Sequence, residues 1–359
     1  MSLTQDDMES MRSVRADLLV AYEAALARVN GVAAVERALD VELHPELTAM
    51  LGGGAISAVA IGKAAAAMMQ GARGALGDRL ASGLVITKYG HLHGVDSDDG
   101  RIRMLEAAHP VADASSLAAG RALLQFLDEL PADRPLLMLV SGGASALVDV
   151  LAEGRGADDL ARVTRWLLAE GLDIGQMNRV RKRISTIKGG RLATRIGDRP
   201  VALLLISDVP GDDPKVIGSG LLVAHEEADL DVSDLDLPDW LEAMCAEVPA
   251  LAPAEAFARI QTLLVACPAD AREVAATALR ERGYRVREHM QLLEGDALCA
   301  GLHLARLSRA EAGSVQVMGS ETTVRLPPEP GRGGRCQSLA LSAARELAGR
   351  CAVLLAAGT

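Results

Sequence analysis

Four stretches of almost continuously apolar residues constrain the fold of this chain more than any other feature. They lie at residues 55–61, 83–87, 135–140 and 201–206, and segments with helical spacing, such as 17–41 and 63–75, separate them. Strands that are apolar on both faces are typical of sheets covered by helices on both sides. The pattern therefore predicts an α/β fold with a doubly wound, mostly parallel sheet in the N-terminal part of the chain.

A second series of strand and helix patterns follows a change in composition. Between residues 221 and 253 acidic side chains concentrate, prolines appear and strand signals vanish. We predict a domain boundary there, with residues 1–235 forming a Rossmann-like α/β domain and residues 236–359 a second, smaller α/β domain. Its predicted strands are 261–266, 284–288, 314–318, 322–326 and 351–356, and its predicted helices are 269–282, 296–307 and 337–347.

Composition excludes several classes of protein. The net charge of -11 argues against general nucleic-acid binding, which needs a basic surface. The five cysteines form no C-x-x-C pair, so neither a disulfide framework nor a zinc site is indicated. The apolar stretches are far shorter than the roughly 20 residues of a membrane helix. With no basic and apolar leader at the N-terminus, we expect a cytoplasmic protein that binds neither nucleic acid nor membranes.

Four of the predicted strands end in turns rich in glycine or polar residues. The turns are Gly62-Lys63, Ser141-Gly-Gly-Ala-Ser145, the segment 207–213 and the segment 319–323. Glycine allows backbone N–H groups to approach an anion closely, and the helix that follows adds its positive N-terminal dipole. The Ser141 turn is the best candidate for holding a carboxylate or a phosphate, although a purely structural turn is the alternative.

Acidic and imidazole side chains lie beside these turns. Asp208, Asp212 and Asp213 suit Mg²⁺, or the acceptance of a hydroxyl proton, and the alternative is an Asp-Pro-Gly turn. Three histidines of the first domain are candidates for catalytic bases: His91, His93 and His109. The alternative is a structural role for each of them.

The segment 179–195 carries seven cations, and no acid occurs between residues 174 and 197. A solvated helix face or a nucleic-acid patch would give the same pattern. The two glycines after Lys188 favour a loop fixed near a ligand. We therefore predict that this basic segment helps to hold a phosphorylated ligand.

In their order along the chain, nine motifs resemble the type II glycerate 2-kinases, the MOFRL-domain family often labelled hydroxypyruvate reductase. The motifs are Ile61-Gly-Lys-Ala-Ala65, Lys88-Tyr-Gly-His91, His109-Pro-Val-Ala-Asp113, Ser141-Gly-Gly-Ala-Ser-Ala-Leu147, Asn178-Arg-Val-Arg-Lys182, Ile187-Lys-Gly-Gly-Arg-Leu-Ala193, Ser207-Asp-Val-Pro-Gly-Asp-Asp-Pro214, Glu321-Thr-Thr-Val324 and Gly333-Gly-Arg335. The resemblance covers nearly the whole chain.

The resemblance implies an enzyme that transfers the γ-phosphoryl group of ATP, with Mg²⁺, to the 2-hydroxyl of D-glycerate in a cleft between two α/β domains. It implies catalytic roles for Lys63, Arg335 and Asp208, and a metal site at Asp208 and Asp212. The residues expected to bind the glycerate carboxylate or phosphates are Ser141, Gly142, Gly143, Ser145, Asn178, Arg181, Lys182, Lys188, Arg191 and Glu321. It leaves a homodimer open.

Two alternative functions remain at this point. One is an NAD(P)H-dependent hydroxypyruvate or tartronate-semialdehyde reductase, which the absence of a dinucleotide fingerprint disfavours. The other is a non-enzymatic protein that binds a phosphorylated ligand. The chain also departs from the family pattern, with Cys336 and Ser338 in place of an asparagine and a glutamate. The family normally continues beyond the final Ala-Ala-Gly-Thr, so we expect an incomplete C-terminal portion of the second domain.

Overall fold

The computed structural model of the protein describes residues 4–92, 100–310, 313–326, 329 and 331–358. These residues form two compact units, which we describe separately. The sheet unit comprises residues 30–267, and the terminal unit comprises residues 4–29 together with residues 268–358.

The sheet unit contains six strands and nine α-helices within its described residues. The strands are β1 (Ile56–Ile61), β2 (Leu80–Lys88), β3 (Ile102–Ala107), β4 (Leu136–Val140), β5 (Val201–Ile206) and β6 (Ile260–Ala266). The helices are α2 (Gly31–Ala38), α3 (Pro45–Leu51), α4 (Ala65–Leu76), α5 (Ala114–Glu129), α6 (Ala144–Leu147), α7 (Ala157–Ala169), α8 (Ile174–Arg183), α9 (Ala193–Ile196) and α10 (Asp239–Ala246).

All neighbouring strands of this sheet are parallel, in the order β3-β2-β1-β4-β5-β6. Every residue of β1 and β4 is buried, because helices cover both faces of the sheet. This burial explains why these strands are continuously apolar in the sequence. The predicted doubly wound parallel sheet is confirmed.

Strand β3 is absent from the sequence-based prediction. It lies at the edge of the sheet, where it pairs only with β2. Arg103 and Glu106 interrupt its apolar residues, since an edge strand has side chains that reach solvent. The apolar run that identifies a central strand is therefore missing here.

Strand β6 lies in the same sheet, although the sequence analysis assigned it to the second domain. Its backbone pairs with β5 over Val201 to Ile206, so it forms the other edge of the sheet. The division between compact units consequently falls at 267/268 and at 29/30, which differs from a boundary at 235/236. The acidic stretch that suggested the boundary is instead a loop with a 3-10 helix at Glu227–Leu230, followed by α10.

The terminal unit is a smaller α/β structure. Its elements are α1 (Gln5–Val29), α11 (Pro268–Glu281), β7 (Val286–Asp296), α12 (Ala297–Ala310), β8 (Val315–Thr323) and α13 (Arg335–Leu347). Strands β7 and β8 pair in parallel, as Val286 opposite Val315 shows. The hydroxyl of Tyr284 donates to Asp17 Oδ2 at 2.7 Å, which links α1 to the start of β7.

Three details of the predicted elements differ in the structure. The helix predicted over 17–41 is two helices, because Asn30 ends the first and its side chain accepts hydrogen bonds from the backbone at the start of α2. The strands predicted at 314–318 and 322–326 are the single strand β8. The strand predicted at 351–356 is wrong, since the described residues there pair with no strand; instead the Tyr22 hydroxyl donates to the carbonyl of Gly358 at 2.6 Å.

Among the described residues, no single helix combines the length and hydropathy of a membrane span, and only the bent pair α1 and α2 taken together meets that test.

Candidate functional site

The order in which strands are added to the sheet changes direction between β1 and β4. Strands β1 and β4 are neighbours, yet β1 is followed by β2 on one side and β4 by β5 on the other. Such a switch point leaves a crevice at the carboxyl ends of the two strands, where ligands of open α/β sheets bind. Lys63 follows β1 and Ser141 follows β4, so both turns lie at this crevice.

Hydrogen bonds join these two turns directly. The Lys63 N–H donates to the Gly142 carbonyl at 2.9 Å, and the Ala64 N–H donates to Ser141 Oγ at 3.0 Å. Gly62 has φ +132°, and a Cβ added there would overlap with Ser141. Glycine is therefore required at position 62 for the two turns to approach so closely.

Lys63 forms an ion pair across the crevice with Asp208, which follows β5. Lys63 Nζ lies 3.1 Å from Asp208 Oδ2, and the two side chains are 43% and 44% exposed. The Asp208 carboxylate lies against Gly142, where an added Cβ would overlap with it. An ion pair this exposed stabilises a fold very little, and both charged groups remain accessible from the crevice.

His109 reaches the same crevice from the end of β3. A Cβ built on Gly143 would lie 3.0 Å from His109 Nε2 and 3.2 Å from Lys63 Cγ, so all three residues meet there. Partial burial, together with the cations of Lys63 and Lys88, lowers the pKa of His109 below its ordinary value. The shift favours the neutral imidazole, whose free ring nitrogen can accept a hydrogen bond.

The β5 loop, residues 207–225, carries Asp208 and Asp212. Asp212 has φ +53°, and its Oδ1 atom is buried without a hydrogen-bond partner among the described residues. A buried carboxylate oxygen normally has a donor or a cation beside it. Further along the loop, Ser219 has φ +60° and its hydroxyl donates to Ser145 Oγ at 2.8 Å, which connects the loop to α6.

The basic segment is largely engaged within the protein. Lys188 is 1% exposed and forms an ion pair with Asp149, which also accepts a hydrogen bond from Ser185 Oγ at 2.6 Å. Arg191 is 4% exposed and donates to the carbonyls of Lys182 at 2.9 Å and Lys188 at 3.1 Å. Both cations therefore stabilise the fold of their own segment, and this placement argues against direct phosphate binding by either one.

Other cations of the segment pair with the acidic loop. Arg179 lies 2.7 Å from Asp234, and Arg183 lies 3.1 Å from Glu227. Because these pairs neutralise the charge that the sequence suggested for a ligand, the basic segment is not an open cationic surface.

Arg181 and Asn178 are partly buried side chains of α8. Arg181 Nη1 donates to Asn178 Oδ1 at the long distance of 3.4 Å. Arg181 also lines one small cavity together with Ser145, Asp149 and Lys188. This cavity brings a predicted cation of the segment next to the last residue of the Ser141 turn.

In the terminal unit, Arg335 and Glu321 are brought together. Arg335 is the first residue of α13, and its Nη1 donates to Glu321 Oε1 at 2.6 Å. This hydrogen bond raises the pKa of Arg335 above its ordinary value. Both side chains are about half exposed, at 45% and 51%, so the guanidinium remains open to a ligand.

Comparisons with known proteins agree on one family. The model of a domain of unknown function, DUF4147, matches residues 17–236. The D-glycerate 2-kinase of Thermotoga maritima is 32% identical over 321 residues, which cover 84% of this chain and 74% of that protein. An Agrobacterium vitis protein with the provisional name hydroxypyruvate reductase is 36% identical over 315 residues, covering 84% of this chain and 71% of that protein.

A solved structure supports the same assignment. The crystal structure of a glycerate kinase from Thermotoga maritima matches with a TM-score of 0.76 at 28% sequence identity, and covers 94% of this chain and 80% of that chain. The chain belongs to the glycerate 2-kinase family. The resemblance inferred from the nine motifs is thereby confirmed.

For this member of the glycerate 2-kinase family, the structure separates the predicted site residues into groups. Those that meet at the switch point are Lys63, Ser141, Gly142, Gly143 and Asp208. Arg335 and Glu321 meet in the terminal unit. Those enclosed within the sheet unit are Lys182, Lys188 and Arg191. His91 lies just past β2, where its N–H donates to the Lys88 carbonyl at 3.2 Å, and His93 lies outside the described residues.

Sequence reasoning missed or left open three residues of this region. His109 stayed an alternative because β3 was not recognised, and only the end of a strand marks it as a site residue. Asp149 and His225 carry no sequence signal, since their importance comes from buried partners distant in the chain.

Proposed function

We propose that this chain transfers the γ-phosphoryl group of ATP to the 2-hydroxyl of D-glycerate, giving 2-phosphoglycerate and ADP. The observation that carries the proposal is the exposed Lys63–Asp208 ion pair beside the Ser141 turn, at the switch point of the sheet. The membership of the family and the relative named D-glycerate 2-kinase support the same reaction.

The crevice offers the groups that phosphoryl transfer requires. In this reaction the glycerate O2 forms a bond to the γ-phosphorus, the bond to the β-phosphate bridging oxygen breaks, and the hydroxyl proton passes to a base. Catalysis depends chiefly on positioning and on neutralising phosphate charge. Lys63 supplies the cation, Asp208 orients it and the hydroxyl, and the Ser141 turn holds an anionic group of the substrates.

The residues present suit Mg²⁺ at the β5 loop. No cluster of three or more metal-binding side chains occurs within the described part of the chain. Magnesium, however, is commonly held by one or two carboxylates and by the phosphates of the nucleotide. The unpartnered Oδ1 of Asp212 is an oxygen of this kind, and Asp208 lies in the same loop. When bound, Mg²⁺ would neutralise charge on the phosphate oxygens.

Further residues retain their predicted roles as part of this proposal. The family resemblance gives Arg335 a catalytic role as a cation, and Glu321 orients its guanidinium. Arg181, with Asn178 and Ser145, binds the glycerate carboxylate or a phosphate. Lys182, Lys188 and Arg191 act indirectly, because their charged groups are bonded inside the protein.

One observation favours a second function. The strand order of the sheet is the order found in dinucleotide-binding folds, which suits the reductase suggested by the provisional name of the Agrobacterium vitis relative. The turn after β1 nevertheless lacks the glycine pattern that receives a pyrophosphate, and Lys63 occupies its place. Fold alone does not decide between the two reactions.

Two assays decide between these functions. Phosphorus NMR of the reaction with MgATP and D-glycerate should show 2-phosphoglycerate, and NADH with hydroxypyruvate should show no loss of absorbance. Lys63→Met should lower kcat by about 10²-fold or more, as loss of a charge-stabilising donor does. Arg121→Met, which removes an equal charge from an exposed position on α5, is the matched control. NADH oxidation without phosphoryl transfer would overturn the proposal.

A further inference from the structure

The side chains of Lys182 and His225 form a buried polar pair. They are 6% and 9% exposed, and Lys182 Nζ lies 2.9 Å from His225 Nε2. The other ring nitrogen, Nδ1, lies 2.8 Å from the carbonyl oxygen of Val223. Because a carbonyl can only accept, Nδ1 carries the hydrogen and Nε2 accepts from the ammonium of Lys182. The ring is therefore neutral, with the proton of the pair on lysine.

The pair connects two segments that are distant in the sequence. Lys182 belongs to the last turn of α8, and His225 is the last residue of the β5 loop. The imidazole lies against Gly220, where an added Cβ would overlap with the ring, so it fills the inside of a bend in that loop. The His225 ring thus packs against another part of its own loop, and its hydrogen bond with Lys182 attaches the loop to α8.

The β5 loop needs restraints of this kind. Asp212 and Ser219 adopt positive φ values of 53° and 60°, which cost energy for residues other than glycine. Two backbone bonds from the same basic segment also hold the loop. Gly189 donates to the Ser219 carbonyl at 3.0 Å, and Gly190 donates to the Gly220 carbonyl at 2.7 Å. Lys182 supplies a third connection, which is the one that depends on protonation.

Charged groups from the β5 loop and from the 3-10 helix that follows it surround the pair. Asp229, from the 3-10 helix at Glu227–Leu230, and Asp213 and Lys215, from the β5 loop, act on the pair. Lys215 and Asp229 are themselves paired at 2.7 Å, so little negative charge remains to stabilise a second proton. Burial, and then the Lys182 cation, lowers the pKa of His225 below its ordinary value.

We infer that Lys182 and His225 are positioning residues, and that their hydrogen bond holds the β5 loop so that Asp208 meets Lys63. The inference rests on the proposed function for its kinetic consequences, but the loop contact itself does not. If the imidazole were protonated, Nε2 would carry a hydrogen that faces the Lys182 ammonium. Neither group could then accept, and the hydrogen bond would be lost. The free energy of opening the loop should therefore fall as the pH drops below the ordinary histidine pKa of about 6.5, and continue to fall until the lowered pKa of the buried ring is reached.

Substitutions of His225 give the kinetic test. His225→Leu removes the acceptor, and a misplaced Asp208 should lower kcat by about 10- to 100-fold with little change in the KM for ATP. His225→Gln keeps an uncharged acceptor for Lys182, so it should restore most of kcat and extend activity to lower pH than in the wild type. His303→Gln, at an exposed histidine of the terminal unit, should leave the pH profile unchanged. Equal pH profiles for the wild type and His225→Gln would overturn the inference.

Hydrogen exchange gives a test that does not need turnover. Protection factors for the amides of Gly189, Gly190 and Gly220 should fall between pH 7 and pH 5 in the wild type and stay constant in His225→Gln. If wild-type protein fails to phosphorylate D-glycerate, the proposed function is wrong, and these protection factors alone decide the inference. Constant protection in the wild type over this range contradicts it, even where His225→Leu fails to fold.

Discussion

Lys188 donates a hydrogen bond to Asp149 in the interior of the sheet unit, where these side chains are 1% and 2% exposed. Asp149 follows α6, the helix that begins at the Ser141 turn, and its Oδ1 accepts from Ser185 Oγ at 2.6 Å. The pair therefore joins the turn at the switch point to the basic segment. A cation that the sequence suggested for a ligand is used to fix the position of α6.

Removal of Asp149 should destabilise the sheet unit strongly. Asp149→Ala leaves the Lys188 ammonium buried without its partner, which costs about 3–5 kcal/mol. The free energy of unfolding can be measured by tryptophan fluorescence in urea, because Trp166 and Trp240 both lie in this unit. The double variant with Lys188→Met removes the stranded charge and should recover most of the loss. Equal unfolding midpoints for the single variant and the wild type would contradict this role.

A methyl group at Gly142 should impair catalysis more than folding. The added Cβ of Gly142→Ala would overlap with the Asp208 carboxylate and displace it from Lys63. A small displacement of a catalytic group can lower kcat by about 10²-fold. Gly53→Ala is the matched control, since an added Cβ there meets nothing within 4 Å. The crevice assignment fails if both variants turn over D-glycerate at the same rate.

The arrangement of the strands was predictable from the sequence because central parallel strands must be apolar on both faces. The runs that became β1, β4 and β5 have this property, and the turns after them form the candidate site. The edge strand β3 lacks a continuous apolar run. Because the strand could not be recognised, nothing in the sequence indicated that His109 lies at the crevice.

The role of the basic segment was not predictable in the same way. A sequence gives the number and spacing of charges, but whether a cation faces solvent or a buried acid depends on contacts between distant residues. Lys188 pairs with Asp149, which is 39 residues away in the sequence, and Lys182 pairs with His225, which is 43 residues away. The two glycines after Lys188 donate to the carbonyls of Ser219 and Gly220 in the β5 loop, whereas the sequence suggested a loop fixed near a ligand.

Loss of the Arg335 guanidinium should lower activity without changing the stability of the sheet unit. Arg335→Met should lower kcat/KM by about 10³-fold, as the loss of an arginine that stabilises a transferring phosphoryl group does. The fluorescence-monitored unfolding midpoint should stay the same, because both tryptophans lie in the other unit. Arg345→Met, at an exposed position in the last turn of the same helix, is the control for charge. An effect on kcat/KM no larger than that of the control would remove Arg335 from the catalytic residues.

Neutralising Asp212 should weaken the binding of magnesium, so that a higher metal concentration is needed for the same rate. Asparagine tolerates the left-handed backbone of this position, at φ +53°, so Asp212→Asn removes the charge and leaves the turn in place. We expect the Mg²⁺ concentration for half-maximal rate to rise by about 10- to 100-fold at saturating ATP. Asp213→Asn is the matched control, because its Oδ1 accepts the Lys215 N–H at 2.9 Å and an asparagine oxygen can do the same. Identical magnesium titrations for the two variants would mean that the buried Oδ1 of Asp212 serves the loop alone and binds no metal.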